Sequence, residues 1–226
     1  MSDREGFLER VRQAVIEGNR AGAAPGLPER GAVGYQGGSP EPVSRFCREL
    51  KDAGGFPHVA PDRETAWQLV RDVIGSKAAR KIVLGRGGMV DRLDLPGRLR
   101  QHGLAVTSAD MLERPGSRDV FFEADVGISN VEHLVAETGS VVVASGPSEP
   151  RSLSLLPPVH IAIADRRQLL PDLFDLFDLF SPATPSKLPP SCLTIITGPS
   201  KTGDIELRLV TGVHGPGEIH VVLCNW

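Results

Sequence analysis

The sequence has few cysteines, no long apolar run and no marked excess of charge, and each lack excludes a class of protein. Its three cysteines, Cys47, Cys192 and Cys224, are widely spaced, which fits reduced thiols in a cytosol better than a disulfide framework. They cannot supply a four-cysteine iron–sulfur motif, so any such cluster is expected on a partner protein. No window approaches the ~18 consecutive apolar residues that span a bilayer.

The distribution of charge also limits the partners that the chain can have. The formal net charge of -3 arises from interspersed acids and bases, so no extended surface for nucleic acid or anionic lipid is indicated. Charges recur every few residues in positions 1–20, unlike the continuous apolar stretch of a signal peptide. We therefore expect a cytoplasmic protein that neither enters a membrane nor binds DNA or RNA.

The first 40 residues differ in composition from the remainder. Residues 3–18 carry apolar side chains at helical spacing and predict an amphipathic helix. Residues 21–40 contain six Gly and three Pro, which is typical of a flexible connector. The predicted organisation is an N-terminal helical arm and linker at 1–40, followed by one domain at 41–226. The apolar stripe of the helix could pack on its own domain or on a neighbour.

Helical and extended patterns alternate from residue 41 onward. Helices are predicted at 41–54, at 62–77 with Asp62 as N-cap, and around 93–102. Strands are predicted at 55–60, 81–85, 104–109, 124–129, 137–145, 160–164, 193–198 and 218–224. Strands separated by helices require crossovers, which give a mostly parallel sheet covered on both faces. The fold class is therefore α/β.

Three other segments lie between or beside these elements. The Pro-rich stretches at 147–158 and 182–190 predict long loops, because clustered prolines do not sustain a helix or a central strand. The repeat LFDLFDLF at 173–180 is interpreted as a helix whose broad apolar face packs in the core.

The loop after the predicted strand at 193–198 is a candidate anion site, since ligands of open α/β sheets gather at the carboxyl ends of strands. It combines close backbone approach with hydroxyl, ammonium and carboxylate groups, at Gly198, Ser200, Lys201, Thr202 and Asp204. A helix beginning near Asp204 would add free N–H groups, although Ile205, Leu207 and Leu209 alternate as in a strand. The spacing is not that of a Walker A loop, and an ordinary tight turn is the alternative.

Two further turns carry side chains that could take part in catalysis or binding. His214 lies between glycines, where an imidazole can act as acid, base or ligand. Glu137 stands with Thr138 and Gly139 before a strand, and its carboxylate could act as base or nucleophile or could cap neighbouring backbone. Each has an ordinary structural explanation when taken alone.

Two other candidates remain open on the residues alone. Arg151, in the loop at 147–158, could bind a carboxylate or phosphate bidentately or form a structural salt bridge. His133 and Glu137 would share a helical face, but such pairs are more often surface pairs than metal ligands. No metal site is predicted.

Taken in order, five groups of residues resemble the signature of the lactate-utilization protein C (LutC/YkgG) family. They are Ala124–Ser129, Ala136–Val142, Arg151 with Ser154–Pro157 and His160–Ile161, Gly198–Glu206, and Gly212–Pro216. The resemblance should extend from about residue 41 to the end, as a LUD domain. One departure is Gly203, where the pattern has Ala, and it removes no functional group.

The resemblance implies a Rossmann-like sheet similar to the NagB/RpiA/CoA-transferase group. It also implies a part in L-lactate oxidation to pyruvate, beside partner proteins that carry iron–sulfur clusters, with no cofactor identifiable in this chain. By position it implies a pocket for a small carboxylate or phosphorylated ligand, with Glu137 and His214 as catalytic candidates. Its binding candidates are Thr138, Gly139, Arg151, Gly198, Ser200, Lys201, Thr202 and Asp204.

Three functions follow as hypotheses. The first is a non-redox subunit of a lactate-oxidising system that binds a small anion near Lys201 and His214. The second is a stand-alone acyl- or phosphoryl-transfer enzyme with Glu137 as nucleophile or base. The third is an assembly protein whose N-terminal helix docks a partner. The sequence leaves the ligand and the oligomeric state open.

Overall fold

The structure is a computed structural model that describes residues 3–18, 39–109, 118–180, 190, 192–205 and 208–226. Almost all of the predicted linker and of the second Pro-rich loop lies outside these residues. The chain divides into two units, residues 1–35 and 36–226. In the first unit the predicted helix is confirmed as α1 (Asp3–Gly18). No helix within the described ranges is long and apolar enough to cross a membrane.

The second unit contains six α-helices, two short 3₁₀ helices and twelve strands among its described residues. The helices are α2 (Pro42–Asp52), α3 (Arg63–Ser76), α4 (Gly88–Arg92), α5 (Leu95–Gln101), α6 (Arg118–Glu123) and α7 (Leu173–Asp178), with 3₁₀ helices at Arg151–Ser154 and Arg166–Gln168. The strands are β1 (Phe56–Ala60), β2 (Lys81–Leu84), β3 (Ala105–Ser108), β4 (Val126–Asn130), β5 (His133–Val135), β6 (Ser140–Ala144), β7 (Val159–Asp165), β8 (Leu169–Leu170), β9 (Leu193–Ile196), β10 (Lys201–Ile205), β11 (Arg208–Thr211) and β12 (Glu218–Cys224).

Six of the strands form the parallel sheet that the alternating pattern predicts. Their order is β1-β12-β7-β4-β2-β3, and every neighbouring pair is parallel. The chain leaves β2 toward the β3 edge and leaves β4 toward the opposite edge. The carboxyl ends of β2 and β4 therefore flank a topological switch point, where open α/β sheets form a crevice that binds ligands. The α/β class is confirmed.

Helices cover one face of this sheet. Asp62 caps α3 as predicted, since its carboxylate accepts a hydrogen bond of 2.8 Å from the Thr65 amide. Such a cap stabilises a helix by about 1 kcal/mol. The apolar residues that α3 spaces at helical intervals then pack, with those of α4 and α5, on alternate side chains of β2, β4, β7 and β12.

The other face is covered differently from the prediction of helices alone. Here α2 and a second sheet, of order β8-β5-β6-β9, pack on Ala162 and Ala164 of β7 and on apolar residues of β12. Phe46 and Leu50 of α2 are fully buried, and each burial contributes about 1.5–3 kcal/mol. In a third layer, α7 packs Leu176 beneath this second sheet, so the helical interpretation of LFDLFDLF holds for Leu173–Asp178.

The segment after β9 decides between the helix and the strand that the sequence left open. Among the described residues no helix begins near Asp204; β10 and β11 pair as an antiparallel hairpin, with Lys201 opposite Thr211 and Thr202 opposite Val210. The alternation at Ile205 was therefore the pattern of a strand. Residues 201–205 and 208–211 therefore supply no helix N–H groups to an anion cradle at this loop.

The edge of the parallel sheet at β1 depends on two strands that are far apart in sequence. β1 pairs only with β12 among the described strands, and His58 Nε2 lies 3.1 Å from His220 Nδ1 across 162 positions. The Phe56 ring stacks on His220, with centroids 4.7 Å apart. The last strand therefore joins the first one to the sheet.

Gly139 fixes the distance between the second sheet and α2. Its φ is +64°, and a Cβ there would lie 2.2 Å from the Leu50 amide nitrogen, in the backbone of α2. A backbone atom cannot move away as the end of a flexible side chain can. The turn before β6 therefore tolerates only glycine.

We predict that Gly139→Ala lowers the free energy of unfolding by about 3 kcal/mol or more, because it adds a backbone clash to an unfavourable φ. Gly75→Ala is the matched control. Gly75 lies in α3 with open space around the added methyl, and this change should stabilise by about 0.5–1 kcal/mol. Urea unfolding followed by circular dichroism measures both, and equal effects of the two variants would contradict this packing.

Candidate functional site

Three of the loops selected from the sequence meet around one pocket of about 210 Å³, here called the amino-edge pocket. It lies at the amino ends of β7 and β12, against β9 of the second sheet. Its lining consists of Ser154, Leu155, His160, Thr194, Ile195, Ile196, Gly198, Pro199, Ser200, His214, Gly215, Pro216 and Ile219. The loop after β9 therefore lines a pocket, but β9 belongs to the smaller sheet. The pocket lies at the amino ends of the parallel strands, whereas the sequence analysis expected a site at carboxyl ends.

Backbone hydrogen bonds hold the two glycine-rich loops of this pocket together. The Ser200 amide donates to the Pro216 carbonyl at 2.9 Å, and the Gly212 amide donates to the Ser200 carbonyl at 3.0 Å. A Cβ on Gly215 would lie 3.3 Å from the Ser200 side chain. The hydroxyl of Ser200 and the exposed imidazole of His214 are thereby carried on loops of fixed relative position.

His160 is the buried polar group of the pocket. Its Nε2 lies 2.7 Å from the Ser129 hydroxyl, whereas its Nδ1 has no hydrogen-bond partner among the described residues. Burial lowers the pKa of His160 to about 4, so the ring is neutral at physiological pH. A neutral imidazole with one nitrogen engaged offers the other as donor or acceptor.

The turn around Glu137 borders the pocket without lining it. Thr138 Oγ1 and Thr197 Oγ1 each lie 2.6 Å from the buried Ser140 hydroxyl, which links this turn to the end of β9. Glu137 faces elsewhere, because its carboxylate accepts a hydrogen bond of 3.5 Å from the Leu173 amide in the first turn of α7. That contact is the capping alternative of the sequence analysis.

The remaining candidates do not contribute to the described lining of the pocket. The Lys201 ammonium donates to the Ala53 carbonyl at the carboxyl end of α2, a favourable position for a cation. Thr202 lies in β10, and Arg151 is exposed in a 3₁₀ helix. The Asp204 side chain falls outside the described part of the chain. The structure therefore joins Gly198, Ser200 and His214 in one pocket and leaves the other candidates outside its lining.

Sequence reasoning did not select a second group of polar residues, at the switch point of the parallel sheet. Glu149 Oε2 accepts from the Asn130 side-chain amide at 3.1 Å and from its backbone amide at 3.4 Å. Glu149 Oε1 is buried and has no hydrogen-bond partner in the described structure. Gly85 provides the space, since a Cβ there would lie 2.3 Å from Oε2.

Burial raises the pKa of Glu149 to about 8, and the hydrogen bonds from Asn130 oppose this shift only in part. A protonated carboxyl at neutral pH is a hydrogen-bond donor as well as an acceptor. The signal that could have revealed this group is the glycine-rich stretch 85–88 directly after the β2 run, at the carboxyl end of a parallel strand.

A third set of charges lies at the carboxyl end of β7. Asp165 accepts from Arg167 Nε at 2.9 Å and Nη2 at 2.5 Å, and from Arg92 Nη1 at 3.1 Å. The guanidinium of Arg167, and to a smaller extent that of Arg92, holds the pKa of Asp165 well below its usual range. Among the described residues no group of three or more His, Cys, Asp or Glu side chains could hold a metal ion.

The comparisons with known proteins agree with the resemblance in the sequence. A family model described as the LUD domain matches residues 43–224. This chain belongs to the LUD domain family. The crystal structure of a DUF162 family protein from Deinococcus radiodurans matches this fold with a TM-score of 0.59 and 20% identity, over 81% of this chain and 96% of that one.

Two curated relatives of this LUD domain share one name. Lactate utilization protein C of Halalkalibacterium halodurans is 34% identical over 150 residues, which are 66% of this chain and 64% of the relative. Lactate utilization protein C of Bacillus subtilis is 40% identical over 104 residues, 46% of this chain and 43% of the relative. The chain thus spans less than two thirds of the length of either relative.

We predict that Glu149→Gln makes the stability less dependent on pH. The wild-type carboxyl ionises near pH 4.5 when unfolded and near pH 8 when folded, so its contribution is complete below pH 4.5 and is lost as pH rises toward 8. Relative to wild type, the variant should gain up to about 3 kcal/mol between pH 4.5 and 7.

Urea unfolding at several pH values measures this difference. Glu41→Gln, at an exposed position, is the control and should retain the wild-type profile. A constant difference between Glu149→Gln and wild type from pH 4.5 to 8 would show that Glu149 is ionised in the folded protein.

Proposed function

We propose that this chain is a cytoplasmic, non-redox component of an L-lactate utilization system, and that it binds a small anionic ligand in the amino-edge pocket. The process is suggested by the names of its relatives. The three cysteines of the chain are too few for an iron–sulfur cluster held by four thiolates. In this proposal, iron–sulfur partner proteins therefore carry the electrons from lactate.

The observation that carries the ligand proposal is the convergence of three loops, distant in sequence, on one small pocket. Pockets for drug-sized ligands have volumes of about 300–1,000 Å³. The volume of about 210 Å³ therefore favours a ligand of few heavy atoms, such as a short hydroxy acid, a keto acid or inorganic phosphate, over a nucleotide.

The chemistry of the lining supports an oxygen-rich ligand. Ser200 offers a hydroxyl, and His160 and His214 offer ring nitrogens, on a floor of aliphatic side chains. A carboxylate or phosphate accepts hydrogen bonds from such groups, and the methyl of lactate or pyruvate would lie on the apolar part. Binding here would rest on hydrogen bonds more than on a fixed positive charge, since no Lys or Arg contributes to the described lining.

We predict that L-lactate, pyruvate or inorganic phosphate raises the melting temperature of the purified protein. A ligand at a hundredfold excess over its dissociation constant stabilises the native state by about 2.7 kcal/mol. Ser200→Ala and His214→Ala should abolish the shift. His102→Ala, which changes an exposed histidine outside the pocket, should retain it.

Lys201→Ala separates this site from the loop cradle suggested by the sequence. Because Lys201 binds the end of α2, its loss should lower stability without removing the ligand-induced shift. No shift with any of the three ligands, or a shift that survives both pocket variants, would refute ligand binding here. Normal growth on lactate of a strain lacking the gene would refute the role in lactate utilization.

A further inference from the structure

A cleft of about 430 Å³ opens at the carboxyl edge of the parallel sheet, the opposite edge from the amino-edge pocket. We call it the carboxyl-edge cleft and define it by Arg92 of α4, Asn130 at the end of β4, Asp165 at the end of β7, and Arg167. It lies beside the switch point between β2 and β4. That is the position at which open α/β sheets bind their ligands.

The charges of this cleft are arranged with the carboxylate inside and the guanidiniums outside. The Asp165 side chain is 9% exposed, whereas those of Arg92 and Arg167 are 53% and 75% exposed. Asp165 accepts from two guanidinium N–H groups of Arg167 and one of Arg92, which leaves each guanidinium with further donors. Two cations thus share one anion, and their remaining donors face solvent.

Asn130 forms an uncharged wall of the cleft, and hydrogen bonds hold its side chain in place. The Asn130 side-chain amide donates to Glu149 Oε2 at 3.1 Å and to the Arg86 carbonyl at 3.2 Å, and its oxygen accepts from the Val90 amide at 3.0 Å. Every polar atom of this side chain therefore has a partner. A fixed wall and guanidiniums held by a buried carboxylate form a preorganised site, which reduces the entropy lost on binding.

We propose that the carboxyl-edge cleft binds an organic anion, a molecule carrying a carboxylate or phosphate group, through the guanidiniums of Arg92 and Arg167. Guanidinium groups bind these anions bidentately. The volume of about 430 Å³ lies within the range of small-molecule sites and exceeds that of the amino-edge pocket, so this site accepts a larger ligand. It is independent of the function proposed above.

The test is a titration of the purified full chain with inorganic phosphate, L-lactate, pyruvate and citrate, followed by calorimetry and by NMR of the arginine side-chain N–H groups. Arg92→Gln and Arg167→Gln should each weaken binding about tenfold or more, since one charge-assisted hydrogen bond accounts for such a factor. Arg166→Gln is the matched control, because Arg166 is an exposed neighbour in the same 3₁₀ helix and does not line the cleft.

Arg92→Lys provides a second variant that preserves charge and pairing with Asp165. It should bind more weakly than wild type and more tightly than Arg92→Gln if the planar guanidinium makes the contact. Far-UV circular dichroism verifies that each variant is folded. Preferential binding of citrate or lactate over phosphate would identify a carboxylate site, and the reverse preference would identify a phosphate site.

The outcomes separate this inference from the proposed function. Binding that survives His214→Ala but weakens in the Arg92 and Arg167 variants establishes the carboxyl-edge cleft. Binding that His214→Ala abolishes and the arginine variants leave intact overturns the cleft and retains the amino-edge pocket. An equal loss of affinity in Arg166→Gln would attribute the effect to net charge and overturn the proposal. Arginine N–H signals that none of the four anions perturbs would also overturn it.

Discussion

The burial of β7 is the constraint on which the remainder of the structure depends. All seven of its residues are buried between two parallel neighbours, so each face of the sheet must be covered along its whole length. Helices cover the face of Val159 and Ile161, and the second sheet covers the face of Ala162. Both candidate sites lie where this strand begins and ends. The depressed pKa of His160 follows from the same burial, acting on the one imidazole within the strand.

The parallel sheet could be predicted because its strands are compact apolar runs, of which those at 55–60 and 81–85 lie between helical patterns. The second sheet could not. His133–Val135 and Leu169–Leu170 are too short to show a period, and their pairing depends on tertiary contacts. The loops that line the amino-edge pocket were selected from their residue types and their positions beside predicted strands, whereas the family match confirms only the family resemblance. Glu149 escaped selection because its proximity to Gly85 and Asn130 is set by topology, which one sequence does not reveal.

The two ends of the parallel strands present different chemical groups. At the amino edge, hydroxyls and a neutral imidazole surround a small volume with aliphatic walls. At the carboxyl edge, exposed guanidiniums surround a buried carboxylate beside the neutral acid Glu149. A buried carboxyl with an unpartnered oxygen destabilises the fold at neutral pH, and natural proteins retain such groups chiefly where function requires them. Under the two proposals above, this chain would bind one ligand at each end of the same parallel strands.

The pairing of β1 with β12 has a consequence for how the chain reaches its fold. β1 has no other strand partner within the described structure, and its contacts with β12 span 162 positions at His58 and His220. During synthesis, residues 56–60 must therefore wait for residues 218–224 before their backbone is paired. Such distant contacts slow folding and leave an unpaired strand edge open to aggregation. Until residues 218–224 have been synthesised, β1 lacks the one strand neighbour that it has in the described sheet.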